Sequence, residues 1–181
     1  MVQLIGEKML PRRTFVLGGA ASGKSAWAEA LLETSALPMT YIATGRVFDE
    51  EVRARVDIHR ARRDNRWTTI EAPLDLGPVL AGIDANSAVL IDCATMWLSN
   101  HVLDGSDLGT AQTALIDALR TCSAPWVMVS NEVGHGIVPE NALARHFREA
   151  QGRLNILLAA EADLAVQVIA GLPQVLKGQL T

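Results

Sequence analysis

Residues 18–25 read Gly-Gly-Ala-Ala-Ser-Gly-Lys-Ser, and they carry the strongest indication of the fold. It follows the pattern G-x-x-x-x-G-K-[ST] of a phosphate-binding loop, which requires a strand before it and a helix after it. An apolar run at residues 14–17 and a helical pattern from about Lys24 supply that context. Glycines let backbone N–H groups turn toward an anion, and the lysine reaches the β and γ phosphates. The sequence therefore predicts that residues 18–25 bind a nucleoside triphosphate, with Ser25 as a ligand of Mg²⁺.

Outside this loop, short apolar runs alternate with segments of helical character. The runs cover residues 14–17, 40–43, 88–91, 126–129 and 164–170. Such alternation is typical of a parallel α/β sheet with helices packed against it. The helix that follows the loop is predicted to bury one face, formed by Trp27, Ala30, Leu31 and Thr34.

Two further helices are predicted from capping signals and periodicity. One covers residues 49–63, with Asp49 as its N-cap and Val52 and Val56 facing inward. The other begins at Pro139, a residue suited to the first helical position. Its predicted buried stripe consists of Leu143, Phe147, Ala150, Leu154 and Leu157.

Length and composition restrict the class of protein. The chain has 181 residues, of which 49% are hydrophobic and 20% charged, and a formal net charge of −4. These values predict one domain over residues 1–181, including an N-terminal extension (residues 1–13) with no assigned role. The slight acidity argues against binding to nucleic acid. Two cysteines give no disulfide framework, and charged residues interrupt every long apolar segment, so we expect a cytoplasmic protein without a membrane span.

Asp92 ends the buried apolar run of residues 88–91. In phosphate-loop folds such an aspartate lies beside the loop and holds the metal ion or its water, so Asp92 joins Ser25 as a predicted Mg²⁺ ligand. The alternative is an ordinary helix cap. No [NT]-K-x-D base-recognition motif occurs in the chain, which favours a small-molecule kinase over a switch GTPase.

His59 lies among arginines in the predicted helix of residues 49–63. On a helix, Arg55, Arg62 and Arg63 are its neighbours on the same face. Nearby cations disfavour protonation of the imidazole, so we predict a neutral ring nitrogen that can attack phosphorus. The alternative is a solvated basic helix face with an incidental histidine. His101, His135 and His146 are given no chemical role, because they have no partners at metal-ligand spacing.

Residues 130–141, Ser-Asn-Glu-Val-Gly-His-Gly-Ile-Val-Pro-Glu-Asn, follow a predicted strand. They therefore belong at the carboxyl edge of the sheet, where α/β folds bind ligands. We expect this segment to bind the acceptor or to contact another subunit, with an ordinary connection as the alternative.

Several motifs together resemble one enzyme family: GGAASGKS, YIATG, the D-x-E-V-x-x-R-V-x-x-H-R-x-R-R run that contains His59, W-x-T-x-E-A-P, VLIDCATMWLSN and SNEVGHGIVPENALARHFREAQGRLN. They resemble the bifunctional adenosylcobinamide kinase and adenosylcobinamide-phosphate guanylyltransferase family over residues 14–178. The resemblance implies an α/β fold, a three-layer P-loop NTPase of the RecA-like type with a mostly parallel central sheet flanked by helices. It also implies phosphorylation of adenosylcobinamide by ATP or GTP, followed by transfer of GMP from GTP onto the phosphate with release of pyrophosphate. The nucleotidyl group would pass through a guanylylated histidine, His59.

The resemblance also implies the site residues and partners. Mg²⁺, GTP, ATP, adenosylcobinamide and its phosphate are the expected ligands, and a homo-oligomer such as a trimer is the expected assembly. Ala21 stands where the family often has arginine, which removes one side-chain contact. The competing readings are a monofunctional kinase with a structural His59 and a nonenzymatic nucleotide-binding regulator. The implied catalytic residues are His59 and Lys24, and the implied nucleotide contacts are Gly18, Gly19, Ala20, Ala21, Ser22, Gly23, Lys24, Ser25, Thr44, Gly45, Arg46, Arg60, Ala61, Arg62, Arg63, Glu71 and Asp92.

Overall fold

Seven β-strands of the computed structural model form one sheet, with helices on both faces. The structure describes residues 10–46 and 64–180. The strands are β1 (Arg13–Gly18), β2 (Met39–Ala43), β3 (Trp67–Glu71), β4 (Ala88–Asp92), β5 (Trp126–Asn131), β6 (Leu164–Ile169) and β7 (Leu172–Lys177). The helices are α1 (Lys24–Glu33), α2 (Gly77–Ala81), α3 (Ala94–Leu103), α4 (Leu108–Thr121) and α5 (Ala142–Glu161).

The strand order is β3-β2-β4-β5-β1-β6-β7. All neighbouring pairs are parallel except β6 and β7, which form an antiparallel hairpin at one edge. The predicted mostly parallel α/β sheet is therefore confirmed. Because β1 lies in the interior of the sheet, the loop that follows it has strands on both sides. β5 lies between β1 and β4, so one strand separates the phosphate loop from Asp92.

Alternating side chains of the central strands pack into two cores. Phe15, Ile91 and Met128 face the core that α2, α3, α4 and α5 cover. Val16 and Leu90 face the other core, which α1 covers. Because successive side chains of a strand point to opposite faces, each central strand contributes to both layers and must be apolar throughout. This explains why these strands read as continuous apolar runs, and it gives the predicted three layers.

The five predicted strands are confirmed, and the sheet has two further strands at its edges. β3 is mostly exposed, and every residue of β7 is exposed. Neither has the continuous apolar character of a buried strand. Pro173 lies within β7, which is tolerated because an edge strand leaves backbone N–H groups unpaired.

The buried faces of two helices differ from the prediction. In α1 the buried residues are Lys24, Ala28 and Leu32, while Ala30 and Thr34 are exposed. The predicted stripe is therefore wrong at those two positions, although Trp27 and Leu31 pack against the core at its margin. Two neighbouring faces of this helix carry apolar residues, so periodicity alone does not show which of the two faces is buried.

The long helix α5 begins later than predicted, at Ala142 instead of Pro139. Asn141 is its N-cap, and its Oδ1 accepts hydrogen bonds from the N–H groups of Leu143 and Ala144 at 2.7 and 3.2 Å. Leu143 is 53% exposed and Leu157 is 40% exposed, so both were wrongly placed in the core. Gln151 and Asn155 occupy the buried face instead.

Some predictions fall outside the described residues. The predicted helix over residues 49–63, including His59, lies there, as do residues 1–9 of the N-terminal extension. Within residues 10–46 and 64–180, no helix is long and apolar enough to cross a membrane.

Candidate functional site

The loop between β1 and α1 has a backbone suited to an anion. Ala21 and Gly23 adopt left-handed conformations, with φ of 53° and 90°. Gly23 is the N-cap of α1, and no side chain caps the first turn of that helix. The free N–H groups and the positive end of the helix dipole therefore point toward the loop. Lys24 is 9% exposed, and its Nζ donates a hydrogen bond to the Gly19 carbonyl at 3.0 Å. The lysine thus lies along the same loop.

The turn between β6 and β7 packs against this loop. We call Ala170 and Gly171 the hairpin turn; both have positive φ, 51° and 79°. The N–H of Gly171 donates to the Ser22 carbonyl at 2.8 Å. A Cβ on Gly23 would lie 3.1 Å from the Cα of Gly171. The two turns are therefore in direct backbone contact, and the loop has little room for a larger residue at position 23.

We expect Gly23→Ala to weaken nucleotide binding by about tenfold or more. An alanine at positive φ costs roughly 1–2 kcal/mol, and here its Cβ would also press on Gly171. The measurement is the dissociation constant of a fluorescent GTP analogue. Gly171→Ala is the matched control, because Gly171 has a similar φ but no atom within 4 Å of its added Cβ. Equal affinity losses in the two variants would contradict the steric explanation.

The carboxyl ends of β4 and β5 bring Asp92 and Asn131 to the same edge of the sheet as the loop. Asp92 pairs in register with Val129 of β5, and Asn131 pairs with Gly18 of β1. The Nδ2 of Asn131 lies 3.9 Å from the Sγ of Cys93, the residue after Asp92. Since neighbouring strands lie about 4.8 Å apart, Asp92 is roughly 10 Å across the sheet from β1.

The pKa of the Cys93 thiol depends on charged groups at this edge of the sheet. Its thiol is buried, and desolvation by that burial raises its pKa to about 11. The carboxylate of Asp92 adds to the increase in pKa, whereas the positive charge of Lys24 opposes it. Asp92 and Lys24 are therefore both close enough to act on the same thiol. The thiol stays protonated at neutral pH and is no nucleophile there.

Thr44 connects the end of β2 to β4 and α3. Its buried hydroxyl donates to the Cys93 carbonyl at 2.7 Å and accepts from the Cys93 N–H at 2.7 Å. The side-chain amide of Asn100, which is 1% exposed, donates to the carbonyls of Thr44 and Pro73 at 2.7 and 2.8 Å. The side chain of Thr44 is therefore directed inward, and these contacts fix where residues 45 and 46 emerge.

Asn100→Ala should lower the free energy of unfolding by about 2–4 kcal/mol. The substitution removes one donor group from two carbonyls in a buried environment, and each carbonyl left unpaired is costly. The measurement is a urea denaturation curve. The exposed Asn86 offers a control, because Asn86→Ala should change the free energy of unfolding by less than about 0.5 kcal/mol. A loss under about 1 kcal/mol for Asn100→Ala would contradict the expected importance of this amide.

Arg46 and Glu71 lie at the same edge of the sheet, beyond β2 and β3. The guanidinium of Arg46 makes two hydrogen bonds to the carboxylate of Asp104, at 2.7 and 2.5 Å, and these bonds lower the pKa of Asp104. Glu71 ends β3 and is exposed. Gly45 has no atom within 4 Å of an added Cβ. Arg46 thus has an internal partner that a bound phosphate would have to displace.

The segment after β5 is supported by a buried polar network. Ser130, Gln151 and Asn155 are joined by hydrogen bonds of 2.7 to 3.0 Å. Sequence reasoning missed the two α5 members, and their only signal is polarity in the core-facing stripe of a helix. Farther along, Ile137 is 97% exposed and Val138 is 66% exposed. The segment therefore has a fixed beginning and an exposed apolar middle.

The predicted site residues divide into three groups. The loop, Asp92 and Asn131 meet at one edge of the sheet, while Thr44, Gly45, Arg46 and Glu71 lie farther along that edge. His101, which was given no chemical role, lies outside these groups. It is in the last turn of α3, where its Nδ1 is 3.0 Å from the Ser106 hydroxyl. His59, Arg60, Ala61, Arg62 and Arg63 lie outside the described residues.

Comparison with known proteins gives consistent sequence matches. A family model described as cobinamide kinase / cobinamide phosphate guanyltransferase matches residues 14–176. The bifunctional adenosylcobalamin biosynthesis protein CobP of Pseudomonas aeruginosa is 39% identical over 170 residues, covering 92% of this chain and 98% of that protein. The bifunctional adenosylcobalamin biosynthesis protein CobU of Escherichia coli is 40% identical over 173 residues, covering 87% and 95%.

Solved structures resemble the chain in fold alone. An ATPase from the type III secretion system of pathogenic bacteria superposes with a TM-score of 0.54 at 9% identity, over 91% of this chain and 56% of that one. The flagellar accessory protein FlaH from Methanocaldococcus jannaschii superposes with a TM-score of 0.51 at 13% identity, over 94% and 80%. These likenesses agree with the predicted three-layer P-loop NTPase fold of the RecA-like type.

Proposed function

The chain belongs to the family of cobinamide kinases and cobinamide phosphate guanyltransferases, and we propose that both of its reactions use the phosphate loop of residues 18–25. It is a bifunctional enzyme of cobalamin biosynthesis that phosphorylates adenosylcobinamide and transfers GMP to the resulting phosphate. The observation that supports this use of the loop is the geometry between β1 and α1. There the N-terminus of α1 has no side-chain cap, the backbone of Ala21 and Gly23 is left-handed, and Lys24 lies along the loop.

In the kinase reaction the loop binds the nucleotide and orients its terminal phosphate. The hydroxyl oxygen of adenosylcobinamide attacks the γ phosphorus, the bond to the bridging oxygen breaks, the nucleoside diphosphate leaves with the electrons of that bond, and the hydroxyl proton passes to solvent. Such a transfer depends on positioning and on neutralising charge more than on covalent chemistry. The backbone N–H groups and Lys24 supply both.

The residues at the sheet edge fit a magnesium ion. Mg²⁺ prefers oxygen ligands and is usually held by one or two protein groups together with substrate phosphates. Ser25 at the start of α1 and Asp92 at the end of β4 supply a hydroxyl and a carboxylate at the edge that carries the loop. When bound there, the ion would neutralise phosphate charge. We therefore propose Ser25 and Asp92 as its protein ligands.

In the nucleotidyl transfer we propose His59 as the covalent carrier. Its neutral imidazole nitrogen attacks the α phosphorus of GTP, and pyrophosphate leaves with the electrons of the broken bond. A phosphate oxygen of adenosylcobinamide phosphate then attacks the same phosphorus, and the histidine departs. The support is the arginine-rich surroundings of His59 in the sequence, which favour a neutral ring and attract a polyphosphate. We propose Arg60, Ala61, Arg62 and Arg63 as contacts of the same nucleotide.

The remaining candidates extend the nucleotide site along the sheet edge. We propose that Thr44 and Gly45 act through their backbone, because the Thr44 hydroxyl is occupied by Cys93. Arg46 would exchange the carboxylate of Asp104 for a phosphate, and the exposed carboxylate of Glu71 would accept hydrogen bonds from the base or ribose.

One assay with two readouts tests the function. Wild-type protein is incubated with GTP, Mg²⁺ and adenosylcobinamide, and both phosphorylated corrinoid and released pyrophosphate are measured. We expect both products. A monofunctional kinase would give phosphorylated corrinoid without pyrophosphate, and a regulator would give neither. Either result would contradict the bifunctional assignment for this chain.

A homo-oligomer in the cytoplasm is our proposal for the state of the protein. The exposed apolar side chains of Leu103 and Leu143, which line one surface groove, support it, because monomers rarely expose large contiguous apolar patches. The oligomeric mass from light scattering tests this. A monomer at micromolar concentration would contradict it.

A further inference from the structure

Asn131 has a central position at the functional edge of the sheet. It is the last residue of β5, the strand between β1, which leads into the phosphate loop, and β4, which ends at Asp92. In the strand register it lies opposite Gly18, the first residue of the loop. A side chain at this point is flanked by the nucleotide-binding loop on one side and a candidate metal ligand on the other.

The backbone of Asn131 is fixed by three contacts. Its N–H donates to the buried hydroxyl of Thr95 at 2.8 Å, and its carbonyl accepts from the side-chain amide of Asn155 at 3.3 Å. The next N–H, that of Glu132, donates to the Gly18 carbonyl at 3.0 Å. Asn155 is itself held by the buried network with Ser130 and Gln151. Hydrogen-bonded buried polar networks hold one local structure, so the end of β5 is kept in a defined position.

The side chain of Asn131, in contrast, makes few contacts. Among the described residues its only hydrogen-bond contact is the weak one from Nδ2 to the Cys93 thiol at 3.9 Å. Asn131 is half-buried, so its amide borders the open edge of the sheet. Lys24 donates to the Gly19 carbonyl at 3.0 Å, and Gly19 follows Gly18, the register partner of Asn131, so the lysine and the amide both border the start of the loop. The carboxamide thus has free donor and acceptor capacity where a phosphate would be bound.

The position of the amide indicates which phosphate it faces. The lysine of a phosphate loop reaches the β and γ phosphates, not the α phosphate. Because Asn131 shares its surroundings with Lys24 and not with the far end of the nucleotide site, its amide belongs at the terminal end of the triphosphate. From these contacts we propose that the side-chain amide of Asn131 donates a hydrogen bond to the γ phosphate during phosphoryl transfer.

This inference rests on the proposed use of the loop by both reactions, and it assigns Asn131 to the kinase reaction. The amide is neutral, and it neither forms a covalent bond nor takes a proton. Its N–H stabilises negative charge on the oxygens of the phosphoryl group as the bond to the leaving nucleoside diphosphate breaks. In the guanylyl transfer the bond that breaks is at the α phosphorus, so the same amide contributes much less.

The test compares Asn131→Ala and Asn131→Asp with the wild type in two assays. The first measures kcat and KM for phosphorylation of adenosylcobinamide by GTP. The second measures the rate at which the protein acquires label from GTP labelled at the α phosphate, without acceptor. For Asn131→Ala we expect kcat of the kinase reaction to fall by about 10²-fold, as for loss of a donor to a developing oxyanion. The labelling rate should stay within about threefold.

Asn131→Asp separates contact with phosphate from a structural role. Aspartate has the shape of asparagine, so a structural role predicts that it is tolerated better than alanine. A role at the phosphate predicts the reverse, because a carboxylate repels the γ phosphate, and kcat should be lower than in Asn131→Ala. Since the Asp variant keeps the side-chain volume, it keeps the test decisive if the Ala variant unfolds.

Asn86→Ala is the matched control, because Asn86 is an exposed asparagine in the turn before β4. This substitution should leave both rates unchanged. Three results would overturn the inference: kinase kcat within threefold of wild type in Asn131→Ala, equal losses in the two assays, or a milder effect of Asp than of Ala. An inactive wild type would instead overturn the proposed function itself.

Discussion

The His59→Ala variant is expected to release no pyrophosphate from GTP while it still phosphorylates adenosylcobinamide at a rate within about threefold of wild type. In the proposed mechanism the imidazole is the protein group that bonds to the α phosphorus, so its removal leaves the GMP no carrier. The kinase reaction uses the loop and Lys24 and does not need the ring. The measurement is acid-labile, alkali-stable label on the protein after incubation with GTP labelled at the α phosphate.

His146→Ala is a suitable control for this experiment. His146 is an exposed histidine on α5, and its removal should leave the label at the wild-type level. If the label persists in His59→Ala, another residue is the nucleophile and the assignment is wrong. If label and kinase activity disappear together while the protein remains folded, His59 has a wider role than the one proposed here.

Lys24→Ala should lower the rates of both reactions by about 10²–10³-fold. The ammonium is the one side-chain cation placed along the loop by the described contacts, and removing such a group uncovers charge on the triphosphate in both transfers. The fold should tolerate the change, since within the described residues Nζ has a single hydrogen bond, to the Gly19 carbonyl. Initial rates of corrinoid phosphorylation and pyrophosphate release, together with a thermal melt, measure these effects.

Lys177→Ala provides the matched comparison. Lys177 also donates from Nζ to main-chain carbonyls, those of Ala159 and Ala160 at 3.1 and 2.8 Å, but it lies on the edge strand β7. Its removal should leave both rates unchanged. A loss of less than about tenfold in Lys24→Ala would show that the lysine is not the principal cation of the loop.

The central part of the fold was predictable because its physical causes are local. Buried parallel strands must be apolar on both faces, so β1, β4 and β5 appear in the sequence as uninterrupted runs. The loop of residues 18–25 was predictable for a similar reason. Its backbone needs positive φ and close approach at certain positions, and the glycines in the sequence mark those positions. Gly23, with φ of 90° and a neighbouring backbone 3.1 Å from an added Cβ, is such a position.

The errors arise where distant residues decide the outcome. Gln151 and Asn155 are polar, so periodicity assigns them to the solvent side of α5, yet Ser130 supplies the partner that lets them be buried. The inward hydroxyl of Thr44 likewise depends on Cys93, which lies 49 residues farther along the chain. No local pattern contains that information.

The arrangement of the site also depends on strand order. Sequence placed Asp92 at the end of a strand but could not show that β5 would separate it from β1. Consequently Asn131 was seen as part of a loop and not as the residue between the two predicted nucleotide-binding positions. Strand order results from packing over the whole sheet, and the same apolar runs are compatible with more than one order.

The hydrogen bond between Gly171 and Ser22 affects when the nascent chain can bind nucleotide. Ser22 precedes Gly171 in the chain, so the phosphate loop leaves the ribosome before the turn that holds its carbonyl in place. Domains complete their long-range contacts only after both partners have emerged. We therefore expect the nascent chain to bind a nucleoside triphosphate only after the β6–β7 hairpin has formed. A chain that still lacks this hairpin should not bind GTP tightly.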